Sequence, residues 1–120
     1  MKNTTSFLGK DCVEIEFSGD QTELSVTMVV DQAHNMIIGR GQDPATFGFL
    51  VNVTHLGETT TGARRAAANF LRTRPYKRIA VLGSDNFTKY LVKFIVSATG
   101  KEALVRYFDK SSEAREWLCP

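Results

Sequence analysis

Side chains able to move protons or hold a ligand gather in two short stretches of this chain, Asn52 to Thr61 and Gly83 to Asn86. The first carries Asn52, Thr54, His55, Glu58, Thr60 and Thr61, and the second carries Ser84, Asp85 and Asn86. An imidazole, a hydroxyl and a carboxylate are the parts of a hydrolase, with His55 as base, Ser84 as nucleophile and Glu58 or Asp85 as the orienting acid. No nucleophile motif frames them, so the competing reading is a set of exposed loop and capping residues. Thr60, Thr61, Ser84, Asp85 and Asn86 are all good helix N-caps, and a phosphate on a threonine at such an end would meet the positive end of the helix dipole. Cys12 and Cys119 have no Cys or His partner at metal spacing and are expected to be free thiols. No metal or cofactor is implied.

The elements that must position these stretches follow from the spacing of apolar residues. Phe47 to Val53 is almost continuously apolar, as in a central strand covered on both faces, and Arg78 to Gly83 is a second such strand. Each leads into a helical stripe. Ala63, Ala66, Ala67, Phe70 and Leu71 form the first, which Pro75 closes; Phe87, Tyr90, Leu91, Phe94, Ile95 and Ala98 form the second, which Gly100 ends. Upstream, Val13, Ile15 and Phe17 alternate with acids as in a half-buried strand, paired through a Gly9-Lys10 turn with a short strand over Thr5 to Leu8. Between Thr22 and Ile38 a β-branched run argues for a strand, but Val26, Val29, Val30, Ala33 and Ile37 keep a helical period over four turns, which outweighs it. Leu24, Met28 and Ile38 fall outside that stripe and suit a homodimer or partner surface. Ala103 to Phe108 predicts a last strand, and Ser111 a cap for a final helix that turns Ala114, Trp117 and Leu118 inward.

Strands alternating with helices predict an α/β fold with a mostly parallel sheet, built from one domain over residues 1–120. Both polar stretches then fall at strand carboxyl ends, where open α/β sheets bind ligands. If their strands are neighbours, they form the floor and wall of one crevice. The composition, 42% apolar and 23% charged in 120 residues, is that of an ordinary globular domain. The opening residues lack the apolar core of a signal peptide and no run approaches a membrane span, so a cytoplasmic setting is expected. A net charge of +2 does not call for nucleic acid. Its distribution is uneven: Arg64, Arg65, Arg72, Arg74, Lys77 and Arg78 lie in a segment with no acid between Glu58 and Asp85. That stretch is either a solvated helix face or a contact for nucleic acid, acidic lipid or an acidic partner.

Several of these residues resemble one group. The strand Leu50-Val51-Asn52-Val53, the loop to Gly57, the Ala63-Arg64 pair, the Val-Leu-Gly-Ser strand end and the closing Phe108-Asp109, Ala114 and Trp117-Leu118 look like the small bacterial SpoIIAA-like domains of the STAS superfamily, whose founding members are anti-sigma-factor antagonists. The resemblance implies a mixed, mostly parallel sheet with an N-terminal hairpin and about four helices, serving as a non-catalytic regulatory module with a protein partner. In that pattern an Asp ends the central strand and an Asp-Ser pair follows, its Ser phosphorylated by a partner kinase. Asn52 stands at the first Asp, Thr60 at the second and Thr61 at the phosphorylated hydroxyl, so the hydroxyl is kept and both carboxylates are lost. The same resemblance leaves open a small-ligand or lipid-binding domain, with Phe47, Phe87, Tyr90 and Phe94 as the expected pocket lining.

Overall fold

The computed structural model describes residues 2–74 and 76–119; Pro75, expected to close the second helix, lies outside them. The chain runs through β1 (Thr4–Phe7), β2 (Cys12–Gln21), α1 (Glu23–Gly39), a 3-10 turn at Pro44–Thr46, β3 (Gly48–Thr59), α2 (Thr61–Thr73), β4 (Arg78–Leu82), α3 (Asn86–Thr99), β5 (Val105–Phe108) and α4 (Ser111–Leu118). All five strands join one sheet in the order β1-β2-β3-β4-β5. β1 is antiparallel to β2, as a short hairpin must be, and the remaining pairs are parallel. Parallel neighbours need a crossover, and α1 and α2 supply the first two.

Alternation along the strands sends side chains to two faces. Val13, Ile15, Phe49, Val53, Ile79 and Val81 join Val26, Val29, Val30, Ala33, Ile37, Ala63 and Phe70 in the larger core under α1 and α2. Cys12, Leu50, Ala80, Leu82 and Phe108 join Ala114 and Leu118 in a smaller core under α4. In α1 the helical period prevails over the β-branched run, and every residue assigned to its inward stripe is buried. The helix starts at a capping box in which Thr22 Oγ1 accepts from the Ser25 N–H and Ser25 Oγ from the Thr22 N–H.

Three expectations are corrected. Phe87, Tyr90 and Phe94 do not face inward: they are 79%, 71% and 73% exposed. Apolar residues occupy both arcs of α3, so periodicity alone does not choose between them, and Thr88, Leu91, Val92, Ile95 and Val96 take the inward arc. Ser111 does not cap α4; it is the helix's first residue, Lys110 occupies the cap without a side-chain bond, and Ser111 Oγ accepts from Arg115 Nε at 3.2 Å. Nor are Cys12 and Cys119 free. α4 runs back across the second face, bringing the residue after its end beside the first residue of β2, and the two form a disulfide with Cα atoms 6.5 Å apart across 107 residues. A glycine permits that close fit: a Cβ at Gly48 would stand 2.7 Å from Leu118 Cδ1.

The second histidine belongs to this architecture. His34 Nδ1 and Tyr76 Oη share a hydrogen bond of 2.9 Å beneath α1. Burial and then the nearby Arg74 charge push the His34 pKa below its ordinary 6.5, and burial pushes Tyr76 up to about 12. Both groups are therefore held neutral by the fold. The unfolded chain takes up a proton at His34 as pH falls through 6.5 and releases one from Tyr76 as pH rises above 10, so stability is lost in both directions. Urea titrations are expected to show the midpoint falling between pH 10 and about 12 for the wild type, with Tyr76→Phe reducing that alkaline loss and leaving the part that Tyr107, also raised in the fold, contributes.

Candidate functional site

The stretch from Asn52 to Thr61 is not the loop its polar residues suggested: β3 continues to Thr59. β4 ends opposite Asn52, in the pair Asn52↔Leu82, while β2 and β3 stay paired out to Gln21↔Thr59. A two-stranded parallel ribbon thus extends past the rest of the sheet. Two irregularities bend it, for Glu16 to Ser18 on β2 spans Asn52 to His55 on β3, and Gly19 to Gln21 spans Leu56 to Thr59. In each case β3 carries the extra residue, as in a β-bulge. Side chains satisfy backbone amides in both bulged segments: Asn52 Oδ1 accepts from the Thr54 N–H at 3.0 Å and from Thr54 Oγ1 at 2.7 Å, and Asp20 Oδ1 accepts from the Glu58 N–H at 2.8 Å. Asn52 Nδ2 is also 3.5 Å from a carboxylate oxygen of Glu14 and of Glu16. Gly57 is needed for the second bulge, since a Cβ there would meet Asp20 Oδ1 and, at 2.9 Å, the Gly19 carbonyl carbon.

At the end of the ribbon the chain turns directly into α2. Thr60 is the N-cap and its Oγ1 accepts from the Ala63 N–H at 3.0 Å. Thr61 is the first helical residue and is exposed. Arg64, one turn along, donates from Nη1 to the Thr59 carbonyl at 2.7 Å and to Thr59 Oγ1 at 3.0 Å, and from Nη2 to Thr61 Oγ1 at 3.3 Å. The two threonines therefore divide the work. Thr60 closes the helix, which leaves the Thr61 hydroxyl facing solvent beside a guanidinium and the amino end of a helix. Arg64 was visible in the sequence only as part of a basic run; its place three residues after Thr61 is the signal that joins the two on one helix face.

The strands β3 and β4 are neighbours, as the crevice requires, but the two polar stretches do not converge. Ser84, Asp85 and Asn86 line a groove of about 780 Å³ shared with Lys89, Arg106, Tyr107, Asp109 and Trp117, and no residue from Asn52 to Thr61 lines it. Asp85 is the N-cap of α3 and accepts from the Thr88 N–H at 2.7 Å; that bond holds its carboxyl below the usual carboxylate range. Tyr107 across the groove is pushed up, first by burial and then by the charges of Asp85 and Asp109. His55 bonds only to its neighbour, Nδ1 lying 3.2 Å from Thr54 Oγ1; among the described residues no hydrogen bond joins it to Ser84 or Glu58. The hydrolase constellation is not assembled. The expected apolar lining does not form either, because Phe47 is fully buried while Phe87, Tyr90 and Phe94 face out. A different apolar cavity, of about 120 Å³, lies between the helices and the sheet, with Val51, Val53, Phe70, Leu91, Val92 and Ile95 among its walls.

A five-stranded sheet with an antiparallel first strand, three crossover helices on one face and a terminal helix on the other defines a SpoIIAA-like fold. A family model described as SpoIIAA-like matches residues 12–119, and the chain belongs to that family. Among solved structures it is similar to an uncharacterised protein with a SpoIIAA-like fold from Shewanella loihica, at 16% identity with a TM-score of 0.70, over 98% of this chain and 92% of that one. It is also similar to the anti-sigma factor antagonist SpoIIAA in its unphosphorylated form, at 12% identity and a TM-score of 0.63, over 92% and 91% of the two chains. The phosphorylated form of SpoIIAA, a Bacillus cell fate determinant, gives 13% and 0.65 over 96% and 97%. No curated protein matches the chain. Among the described residues no helix is long and apolar enough to cross a membrane.

Proposed function

We propose that this chain is a non-catalytic regulatory module that docks a protein partner at the end of its β2–β3 ribbon and the start of α2, and that phosphorylation of Thr61 controls the docking. The observation that carries this reading is the exposed Thr61 hydroxyl 3.3 Å from Arg64 Nη2. A kinase would transfer a phosphoryl group from a nucleoside triphosphate to Thr61 Oγ1, and the hydroxyl proton would leave to solvent. The phosphate brings a charge of about −1.5 to −2. It gains a charge-assisted bond to Arg64 and the favourable end of the helix dipole, while any partner fitted to a neutral hydroxyl meets a new charge. The carboxylates that the family pattern places at Asn52 and Thr60 are absent, and both substitutes are already engaged by backbone amides.

The apolar cavity supports a second reading, as a small-ligand site, but its size ranks that reading lower. A cavity near 150 Å³ accommodates benzene, whereas ligand pockets usually span about 300–1,000 Å³, so about 120 Å³ takes neither a lipid chain nor a cofactor unless the helices part. Capture of partners from the native cell, with intact mass of the recovered bait, tests the first reading. Wild type and Thr60→Ala are expected to carry phosphate, and Thr61→Ala to carry none and to lose regulated capture. Wild type recovered without a phosphate increment, and with the same captured partners as Thr61→Ala, would sink the proposal.

A further inference from the structure

The bridge between Cys12 and Cys119 has no part in either reading, and its two sulfurs differ in access. Cys12 is 3% exposed at the start of β2, whereas Cys119, the residue after α4, is only half-buried. A thiolate arriving from solvent therefore reaches the Cys119 sulfur first. What the bridge holds is also unequal. Among the described residues the larger core contains none of α4, so undocking that helix leaves the packing of α1 and α2 on the sheet intact. α4 brings only Ala114 and Leu118 fully into the smaller core, with Trp117 packed at its margin. At 8 residues, and with no side-chain bond at its N-cap, it is shorter than a helix needs to be to persist alone in water.

We propose that the Cys12–Cys119 bridge is a redox modification site, entered at Cys119, whose reduction by a dithiol frees α4 to leave the sheet. One sulfur of the dithiol, as thiolate, attacks Cys119 Sγ; the bond to Cys12 Sγ breaks, and Cys12 departs as a thiolate that takes up a proton. The second sulfur of the dithiol then attacks the first, and Cys119 departs in the same way. The bridge gains two electrons and two protons, and the reductant leaves as a cyclic disulfide. With the bridge intact, an undocked α4 is still tied at both ends. It closes a loop of about 10 residues between the end of β5 and Cys12, which costs the opening equilibrium roughly 100-fold. Reduction removes that cost. Glu113, Glu116 and Trp117 travel with α4, so the groove beside Asp85 loses a wall. In compartments that keep thiols reduced, disulfides are characteristically transient and redox-sensing, and this one closes and opens a single short element. Thr61 takes no part, so the two proposals stand or fall separately.

Residue-resolved hydrogen exchange of the full chain in native buffer, with and without dithiothreitol, tests it. The amides of Ala114 and Cys119, which donate to the Lys110 and Arg115 carbonyls, should exchange roughly 100-fold faster after reduction, and faster than the amides of β4 in the same sample. Glutathione disulfide should restore the slow exchange. The Cys12→Ser/Cys119→Ser variant should exchange like reduced wild type and ignore the reductant; the wild-type comparison needs no substitution and stands even where that variant fails to fold. Reduction itself, followed by alkylation and intact mass, should proceed at a rate proportional to dithiothreitol. A rate that stays constant as dithiothreitol rises would mean that the Cys119 sulfur is reached only after unfolding. Exchange of α4 at the rate of β4 in the reduced protein would mean that the helix leaves only with the whole domain. Either result overturns the proposal, as does exchange in α4 that reduction leaves unchanged.

Discussion

A dithiol reductant is expected to lower the unfolding free energy of this protein by about 4 kcal/mol, read as a fall in the urea midpoint. The bridge between Cys12 and Cys119 spans 107 residues, nearly the whole chain, and a loop of about 100 residues is worth roughly 4 to 5 kcal/mol of unfolded-chain entropy. Little else of comparable strength ties down α4. It is 8 residues long, and its polar tethers are Arg78 donating to the Trp117 carbonyl at 2.8 Å and the Arg115–Glu14 pair at 3.6 Å, both surface contacts of small value. Its remaining hold is the burial of Ala114 and Leu118 against the second face and the packing of the Trp117 ring on Phe108, their centroids 5.6 Å apart. A Cys12→Ser/Cys119→Ser variant should unfold at the same midpoint with and without reductant, close to that of reduced wild type. A wild-type midpoint unmoved by reduction would show that the core under α4 suffices. The stabilisation lasts only as long as the bond, so in a compartment that keeps thiols reduced the fold rests on its two cores.

That bridge was hidden in the sequence for a physical reason. Spacing rules for cysteine see pairs joined by local chain geometry, whereas Cys12 and Cys119 meet because a terminal helix folds back across a sheet. The elements themselves were far more legible. α1 could be read from Val26, Val29, Val30, Ala33 and Ile37 because each is buried against the larger core, and a period sustained by burial outlasts the local preference of valine for strands. α3 marks the limit of the same method. Its apolar residues surround most of the helix, so the sequence established that a helix is there but not which arc faces in, and Phe87, Tyr90 and Phe94 emerged on the outside.

The candidate site shows the converse error. Asn52, Thr54, Gly57 and Glu58 look like a loop because polar and glycine residues usually break strands. Here they belong to a bulged strand in which Asn52 serves Thr54 and Asp20 serves Glu58. β-Bulges leave only faint local signatures, and the decisive partner of this one, Asp20, comes from β2, which the alternation of Val13, Ile15 and Phe17 placed no further than Phe17. The position of the site was nevertheless readable, since a helix must begin where the apolar strand gives way to threonines. What could not be read was the division of labour at that point, with Thr60 committed to the Ala63 amide and Thr61 left free beside Arg64.

Replacing Phe49 with alanine is expected to cost about 3 to 5 kcal/mol and to lower the thermal midpoint by about 15 °C, measured by circular dichroism. Phe49 is fully buried on β3. Its ring centroid lies 4.0 Å from that of Tyr76 and 5.7 Å from that of Phe70, and Phe70 and Tyr76 are themselves 5.3 Å apart. This trio joins the central strand to α2 and to the approach of β4, while His34 reaches it from α1 through Tyr76. Truncation removes the transfer energy of a whole aromatic ring and leaves a void that three elements cannot all close. Phe49→Leu retains most of the volume and should cost only about 1 kcal/mol. The comparison separates packing from mere hydrophobicity: if both variants melt within a few degrees of wild type, the cluster does not anchor α2. If they divide as expected, the helix that carries Thr61 and Arg64 is held from below by Phe49, while its amino end stays free to meet a partner.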